Sequence, residues 1–259
     1  MESILQSCRG FLFDLDGVFF VGRTAIPGAA DAIRFLREHG IPRRYTTNTT
    51  TRSRATLHRE LQGMGLTIDP EEIISAPQAA ILHLRRLGSP VCRLLLDGDT
   101  LADFAEFRQS DRHPEVIVFG DIGNRWNYDL MNELFRAVMA GARMIALHKG
   151  RYWQVEDGLR MDIGAFVAGL EYVTGAAATV IGKPSREFFE LALADAGLRA
   201  DETAMIGDDL HNDVAGAQNA GLKGVLVRTG KYRDDLTLKS PVHPDLILDS
   251  IADLPALLR

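Results

Sequence analysis

The chain has 259 residues, 46% hydrophobic and 25% charged, which is enough apolar content for a sizeable core and too much for a disordered chain. A formal charge of −6 and a pI near 5.7 exclude a general attraction to nucleic acid or anionic membrane, so an anionic ligand must be met by local groups. No apolar stretch approaches the roughly 20 residues of a membrane span, MESILQSCRG lacks the form of a signal peptide, and Cys8 and Cys92 are too few for a disulfide framework or a zinc site; a cytoplasmic location is expected.

GFLFDL reads as a short strand, apolar on both faces, as strands buried in parallel sheets are. PGAADAIRFLREHG predicts a helix with Ala29, Ile33 and Leu36 on one face, between Pro27 and Gly40. IPRRYTTN follows as a strand despite Pro42, Arg43 and Arg44. From about Pro77 a second series begins: a helix through Ile81, Leu84 and Leu87, strands VCRLLL and VIVFG, a helix with Met131, Leu134, Phe135 and Val138, and a strand RMIALH. After the helix AFVAGLEYVTG the opening pattern returns in ATVIG, ETAMIGDD and KGVLVRTG. Such alternation predicts an α/β fold: a Rossmann-like parallel-sheet core made of residues 1–77 and 178–259, with a smaller α/β domain, 78–177, inserted in it.

Four strand-like segments end in reactive or polar groups: Asp14 and Asp16, Thr47 and Asn48, Lys183, and Asp208 with Asp209. Ligands of open parallel sheets bind at the carboxyl ends of strands, so groups almost 200 residues apart can converge. Three carboxylates together repel one another unless a cation sits among them, and hard oxygen ligands suit Mg²⁺. A cation, a lysine and the neutral donors Thr47 and Asn48 make a phosphate cradle, in which a carboxylate can act as nucleophile.

FDLDG, TTN, GKP and GDDLHNDVAGAQNAG resemble, in order, the four motifs of the haloacid dehalogenase superfamily of phosphohydrolases. The insertion between the second and third resembles the α/β cap of one subfamily, and the similarity covers essentially the whole chain. It implies a Mg²⁺-dependent phosphatase in which Asp14 is the nucleophile and Asp16 first protonates the leaving oxygen and then activates water. The Asp16 carbonyl and the Asp14 and Asp208 side chains would bind Mg²⁺, Thr47, Asn48 and Lys183 would hold the phosphoryl group, and Asp213 and Asp209 would act from behind the ligands. A carboxylate at position 16 preserves acid–base help typically worth about 10²- to 10⁴-fold, and it argues against dehalogenase activity. A large cap implies a small phosphorylated metabolite as substrate, no nucleic-acid or membrane partner, and a homodimer formed through the cap. A phosphotransferase would share every core residue; a module that merely holds phosphate is the reading from another class, and Asp16 speaks against it.

The chain carries its own control. LLLDGDT, residues 94–100, also ends an apolar strand with two acids, yet has no partner motifs, so Asp97 and Asp99 read as a turn or helix cap. HKGRYW gathers His148, Lys149, Tyr152 and Trp153, either as a loop that recognises the leaving group or as a solvated turn with packed aromatics. Asp157 and Asp162 read as structural, and the aromatics of NRWNYD as packing residues.

Overall fold

The computed structural model describes residues 4–155 and 158–258, and the side chains of all of these except 152–155, 158, 159 and 236. In chain order the strands are β1 (Gly10–Asp14), β2 (Phe20–Val21), β3 (Thr24–Ala25), β4 (Arg43–Thr47), β5 (Ile73–Ser75), β6 (Cys92–Leu95), β7 (Val116–Phe119), β8 (Arg143–Ala146), β9 (Tyr152–Val155), β10 (Gly158–Met161), β11 (Thr179–Val180), β12 (Thr203–Gly207), β13 (Lys223–Val227) and β14 (Leu246–Leu248). The longer helices are α1 (Ala29–Glu38), α2 (Arg54–Gly63), α3 (Ala76–Arg86), α4 (Tyr128–Met139), α5 (Gly164–Thr174) and α6 (Arg186–Ala196). Among the described residues no helix is long and apolar enough to cross a membrane.

The chain divides into two compact units: Met1–Thr47, Ala55–Ile74 and Lys183–Arg259 form the first, and Asn48–Arg54 with Ser75–Gly182 the second. The first is built on a six-stranded sheet of order β14-β13-β12-β1-β4-β5, parallel from β14 through β4. The strand order turns outward in both directions from the β1–β12 pair, which is the switch point where open α/β sheets bind ligands. Every residue of β1 is buried. Phe13 packs on Phe11, Phe19 and Tyr45 with ring centroids 5.5–5.8 Å apart, and full burial of each such ring contributes about 1.5–3 kcal/mol. Helix α1 covers this core with Ala29, Ala32, Ile33 and Leu36. The charges that make IPRRYTTN an odd strand are matched: the buried Arg43 guanidinium meets Glu72 at 2.7 Å, and Arg44 meets Asp195 at 2.6 Å.

The second unit has its own parallel sheet, β11-β8-β7-β6, and a core of Ile117, Phe119, Leu134, Val138 and Val167. Here the sequence expectation needs correction. ATVIG, expected in the first domain, pairs through Thr179 and Val180 with Ile145 and Ala146 of β8, so the expected boundary at 177/178 moves to Gly182. A two-residue strand carries too little pattern to declare which sheet it joins. Helix α2, with only Leu57 and Leu61 buried, and the β9–β10 hairpin are elements the apolar pattern does not announce. Trp126 of NRWNYD packs as expected, stacked on Phe166 at 4.3 Å, whereas Tyr128 is 81% exposed.

Candidate active site

Strand β1 delivers Asp14 to the carboxyl end of the first sheet, and the neighbouring β12 runs directly into Asp208 and Asp209. Asp209 caps the helical turn Leu210–Ala215 by accepting from the His211 and Asn212 amides, and that turn carries Asp213 back toward the strand end. The Asp209 amide donates to Asp213 Oδ2 at 3.1 Å, fixing the second acid by the first. Lys183 Nζ donates to Asp14 Oδ1 and to Asp213 Oδ1, both at 2.7 Å, with all three side chains buried. One oxygen each of Asp14, Asp208 and Asp213 lies within 4.8 Å of the others.

Asp208 is held from the far side. The Lys231 amide donates to its Oδ2 at 2.7 Å. Gly17 and Gly230, both at positive φ, approach this carboxylate so closely that a Cβ would stand 1.9 and 2.1 Å from Oδ2. The Thr229 hydroxyl donates to the Gly17 carbonyl and ties the two glycine turns together. The other oxygen, Asp208 Oδ1, is buried and has no hydrogen-bond partner among the described residues. A bare buried carboxylate oxygen is costly unless a cation meets it.

Electrostatics point the same way. Burial pushes the Asp14 carboxyl up, against the pull of Lys183. Burial raises Asp208 to about 6, against the Lys231 amide, and raises Asp213 to about 6, against Lys183 and with help from the Asp14 charge. For Lys183, burial disfavours the charged form, but Asp14 and Asp213 outweigh it and hold the ammonium above its ordinary range. Asp209 goes the other way: burial opposes its charge, yet the bonds from Asn212 and the Lys231 charge keep it below the usual carboxylate value. Three acids all disfavoured as anions, around an oxygen unpartnered among the described residues, fit a divalent cation bound through hard oxygen ligands.

The remaining sequence candidates fall into distinct settings. Asp16 is exposed; its backbone bridges to Phe20, and its carboxylate is outside the buried cluster. Asp213, expected behind the ligands, stands in the cluster itself. Register places Thr46 opposite Asp14, where its hydroxyl donates to the Phe13 carbonyl, and Thr47 is the last residue of the same buried strand. Asn48 belongs to the second unit, beside Gly182: a Cβ on that glycine would stand 3.0 Å from Asn48 Oδ1. Also in the second unit, Lys149 Nζ is taken up by Glu171 at 2.7 Å, and His148 Nδ1 accepts from the Gly150 amide at 3.1 Å, with Asp162 3.7 Å away. The Tyr152 and Trp153 side chains and Asp157 lie outside the described residues. Residues that sequence reasoning passes over are Gly17, in FDLDG, and Thr229, Gly230 and Lys231, whose signal is RTGKYR, a further strand end rich in polar groups.

The chain is similar to known proteins over nearly its full length. The family profile described as haloacid dehalogenase-like hydrolase matches residues 11–107, and a second, HAD-hydrolase-like, matches residues 180–254. Haloacid dehalogenase-like hydrolase domain-containing protein 2 of Bos taurus is 41% identical over 229 residues, covering 88% of this chain and 87% of its own length. Phospholysine phosphohistidine inorganic pyrophosphate phosphatase of Homo sapiens is 37% identical over 261 residues, covering 98% of this chain and 95% of its own. Among solved structures, p-nitrophenyl phosphatase from Archaeoglobus fulgidus superposes with a TM-score of 0.85 at 28% identity, over 96% of this chain and 98% of that one.

Proposed function

Because the chain belongs to the haloacid dehalogenase-like hydrolase family, we propose that it is a Mg²⁺-dependent phosphatase that hydrolyses small phosphomonoesters through an aspartyl-phosphate on Asp14. The observation that carries the reading is the buried cluster itself: Asp14 oriented by Lys183, beside an Asp208 oxygen that no donor among the described residues meets.

Lys183 grips Asp14 Oδ1 and leaves Oδ2 for phosphorus. In the first step Asp14 Oδ2 forms a bond to phosphorus as the bond to the leaving oxygen breaks, and Asp16 gives that oxygen a proton. In the second, water loses a proton to Asp16 and attacks phosphorus; the Asp14–phosphorus bond breaks and inorganic phosphate leaves. The exposure of Asp16 suits a group that must trade protons with solvent and substrate, as the burial of Asp14 suits a nucleophile shielded from water. Mg²⁺ held by Asp14, Asp208 and the Asp16 carbonyl would offset the charge of the phosphoryl oxygens and of the acids. Thr47, Asn48 and Lys183 bind those oxygens, and Asp209 and Asp213 fix the acids and Lys183 in place. The substrate class is a small phosphorylated metabolite. His148 and Lys149 are candidates for reading its leaving group only if they break their present partnerships with Gly150 and Glu171.

A phosphate-release screen over sugar phosphates, phosphoglycolate, pyridoxal phosphate, nucleotides, pyrophosphate and phosphoamino acids, with and without Mg²⁺ and with Asp14→Asn as blank, tests the reading. Turnover that needs Mg²⁺ and vanishes in the blank is expected. Silence across the panel, or full activity in the blank, overturns it.

A further inference from the structure

The chain passes between its two units at Thr47/Asn48, Arg54/Ala55, Ile74/Ser75 and Gly182/Lys183. Two of these four crossings fall beside groups assigned to the phosphoryl site, so the second motif is split: Thr47 ends a strand of the first sheet, while Asn48 and the loop up to Arg54 belong to the inserted unit. The inserted unit holds that loop by a dense set of bonds from one short helical segment, Gly98–Phe104. The amide and the hydroxyl of Ser53 both donate to Asp99 Oδ2, at 2.9 and 2.7 Å. The Arg54 amide donates to Asp103 Oδ2 at 2.9 Å, and the Thr100 hydroxyl donates to the Thr50 carbonyl at 2.9 Å. The Arg54 guanidinium reaches Gln78 Oε1 of α3 at 2.6 Å.

From this geometry we propose that Asp99, assisted by Asp103, is a positioning residue for phosphate binding: it fastens residues 48–54 to the inserted unit and so fixes where Asn48 is presented. The inference rests on the phosphatase reading for what Asn48 binds. Asp103 takes the first amide of α2 and Asp99 the amide just before it, and acids are attracted to a helix N-terminus. Ser53, buried to 2% exposure, gives both its amide and its hydroxyl to Asp99. Asn48 Oδ1 and the Leu147 carbonyl pack around Gly182, so the same body also carries the residue just before Lys183.

The test compares Asp99→Ala, Ser53→Ala and Asp103→Asn with Asp97→Asn as the matched control, in the full chain with Mg²⁺. Three quantities are read: inorganic phosphate affinity by calorimetry, KM and kcat with p-nitrophenyl phosphate, and amide hydrogen exchange. Asp99→Ala is expected to weaken phosphate binding and raise KM about tenfold, the effect of one lost helix cap, with kcat changed far less. Exchange should quicken over 48–54 and stay unchanged over 205–214. Where Asp99→Ala fails to fold, Ser53→Ala removes one bond and leaves the acid, and a shift of about threefold in the same direction is expected. A lower melting temperature with phosphate affinity and loop exchange both unchanged overturns the proposal, since a merely structural acid would give that result. Wild-type protein that releases no phosphate overturns the phosphatase reading instead, and the exchange data then decide the fastening of the loop alone.

Discussion

FLFDLDG and LLLDGDT are near twins in sequence: an apolar strand, two acids two positions apart and a glycine between or after them. Their places in the two sheets differ. β1 lies inside its sheet between β12 and β4, and β6 is the edge strand of its sheet, paired with β7 and bridged at Cys92 alone to the loop residue Gln109. An acid at the end of an interior strand meets the ends of the strands beside it, and β12 supplies Asp208 while the turn after it supplies Asp213. An acid at the end of an edge strand meets solvent and loops. Asp14 is 6% exposed and ion-paired to Lys183; the Asp97 side chain is 68% exposed and pairs with the exposed Arg125. Sheet position, more than the acids themselves, decides which pair becomes a site.

The first way to break the comparison is to remove the acids that are supposed to act. Asp14→Asn keeps the shape and the contact with Lys183 but removes the nucleophile; turnover should fall by about 10³-fold or more in a steady-state phosphate assay. Asp16→Asn removes proton transfer and leaves the buried cluster untouched, so a loss of about 10²-fold is expected, smallest for substrates whose leaving group needs no proton. Comparing p-nitrophenyl phosphate with an alkyl phosphate reads that difference. Equal losses on both would contradict the acid role.

The glycines sharpen the contrast next. Gly17 and Gly98 both follow an Asp at positive φ. A Cβ on Gly17 would stand 1.9 Å from Asp208 Oδ2, whereas one on Gly98 would meet nothing within 4 Å. Gly17→Ala should therefore displace a cation ligand and weaken Mg²⁺ affinity about 10- to 100-fold, as lost outer support of a metal site does. Gly98→Ala should cost about 1–2 kcal/mol of backbone strain and leave Mg²⁺ affinity alone. Isothermal titration with Mg²⁺ beside thermal unfolding separates the two effects.

How much of this was legible in the sequence follows the same divide. β1, α1, ETAMIGDD and KGVLVRTG could be read because each is a run of local pattern, and Asp14, Lys183 and Asp208 because they end such runs. ATVIG could not be assigned to its sheet, since pairing with β8 is a non-local fact and two residues carry no register. Helix α2 was hidden because it buries only Leu57 and Leu61 and its start is held by Asp99 and Asp103, some 46 and 49 positions along the chain. The support of Asp208 by the Lys231 amide was hidden for another reason: every residue but proline has an amide, so sequence cannot mark the one that matters. Asp99 itself shows the limit of reading acids one strand end at a time. It does cap a helix, but the helix is the one that follows the second motif.

The buried cluster around Asp14 should also respond to pH once metal is removed. Asp208 and Asp213 titrate near 6 in the folded chain against an ordinary value of 3.8. Between those values the folded state holds protons that the unfolded state has released, so stability falls as pH rises through about 6. Protein in EDTA should accordingly melt several degrees higher at pH 5 than at pH 7. Excess Mg²⁺ should shrink or reverse the difference, because a bound cation favours the ionised acids. A metal-free protein that melts no higher at pH 5 would show that the cluster is not strained by its own charge.

The smallest effect belongs to Asp97. Its ion pair with Arg125 Nη2, at 3.2 Å, joins side chains 68% and 56% exposed, and exposed pairs are worth about 0–1 kcal/mol because water and salt screen them. Asp97→Asn keeps the size of the side chain and can still accept from Arg125. Melting temperature, Mg²⁺ affinity and kcat/KM should all stay at wild-type values, in low salt and in 0.5 M NaCl alike, a range over which the Debye length falls to about 4 Å. A loss of activity here would mean that an acid at an edge-strand end reaches the chemistry after all, and position in the sheet would then no longer separate the two stretches.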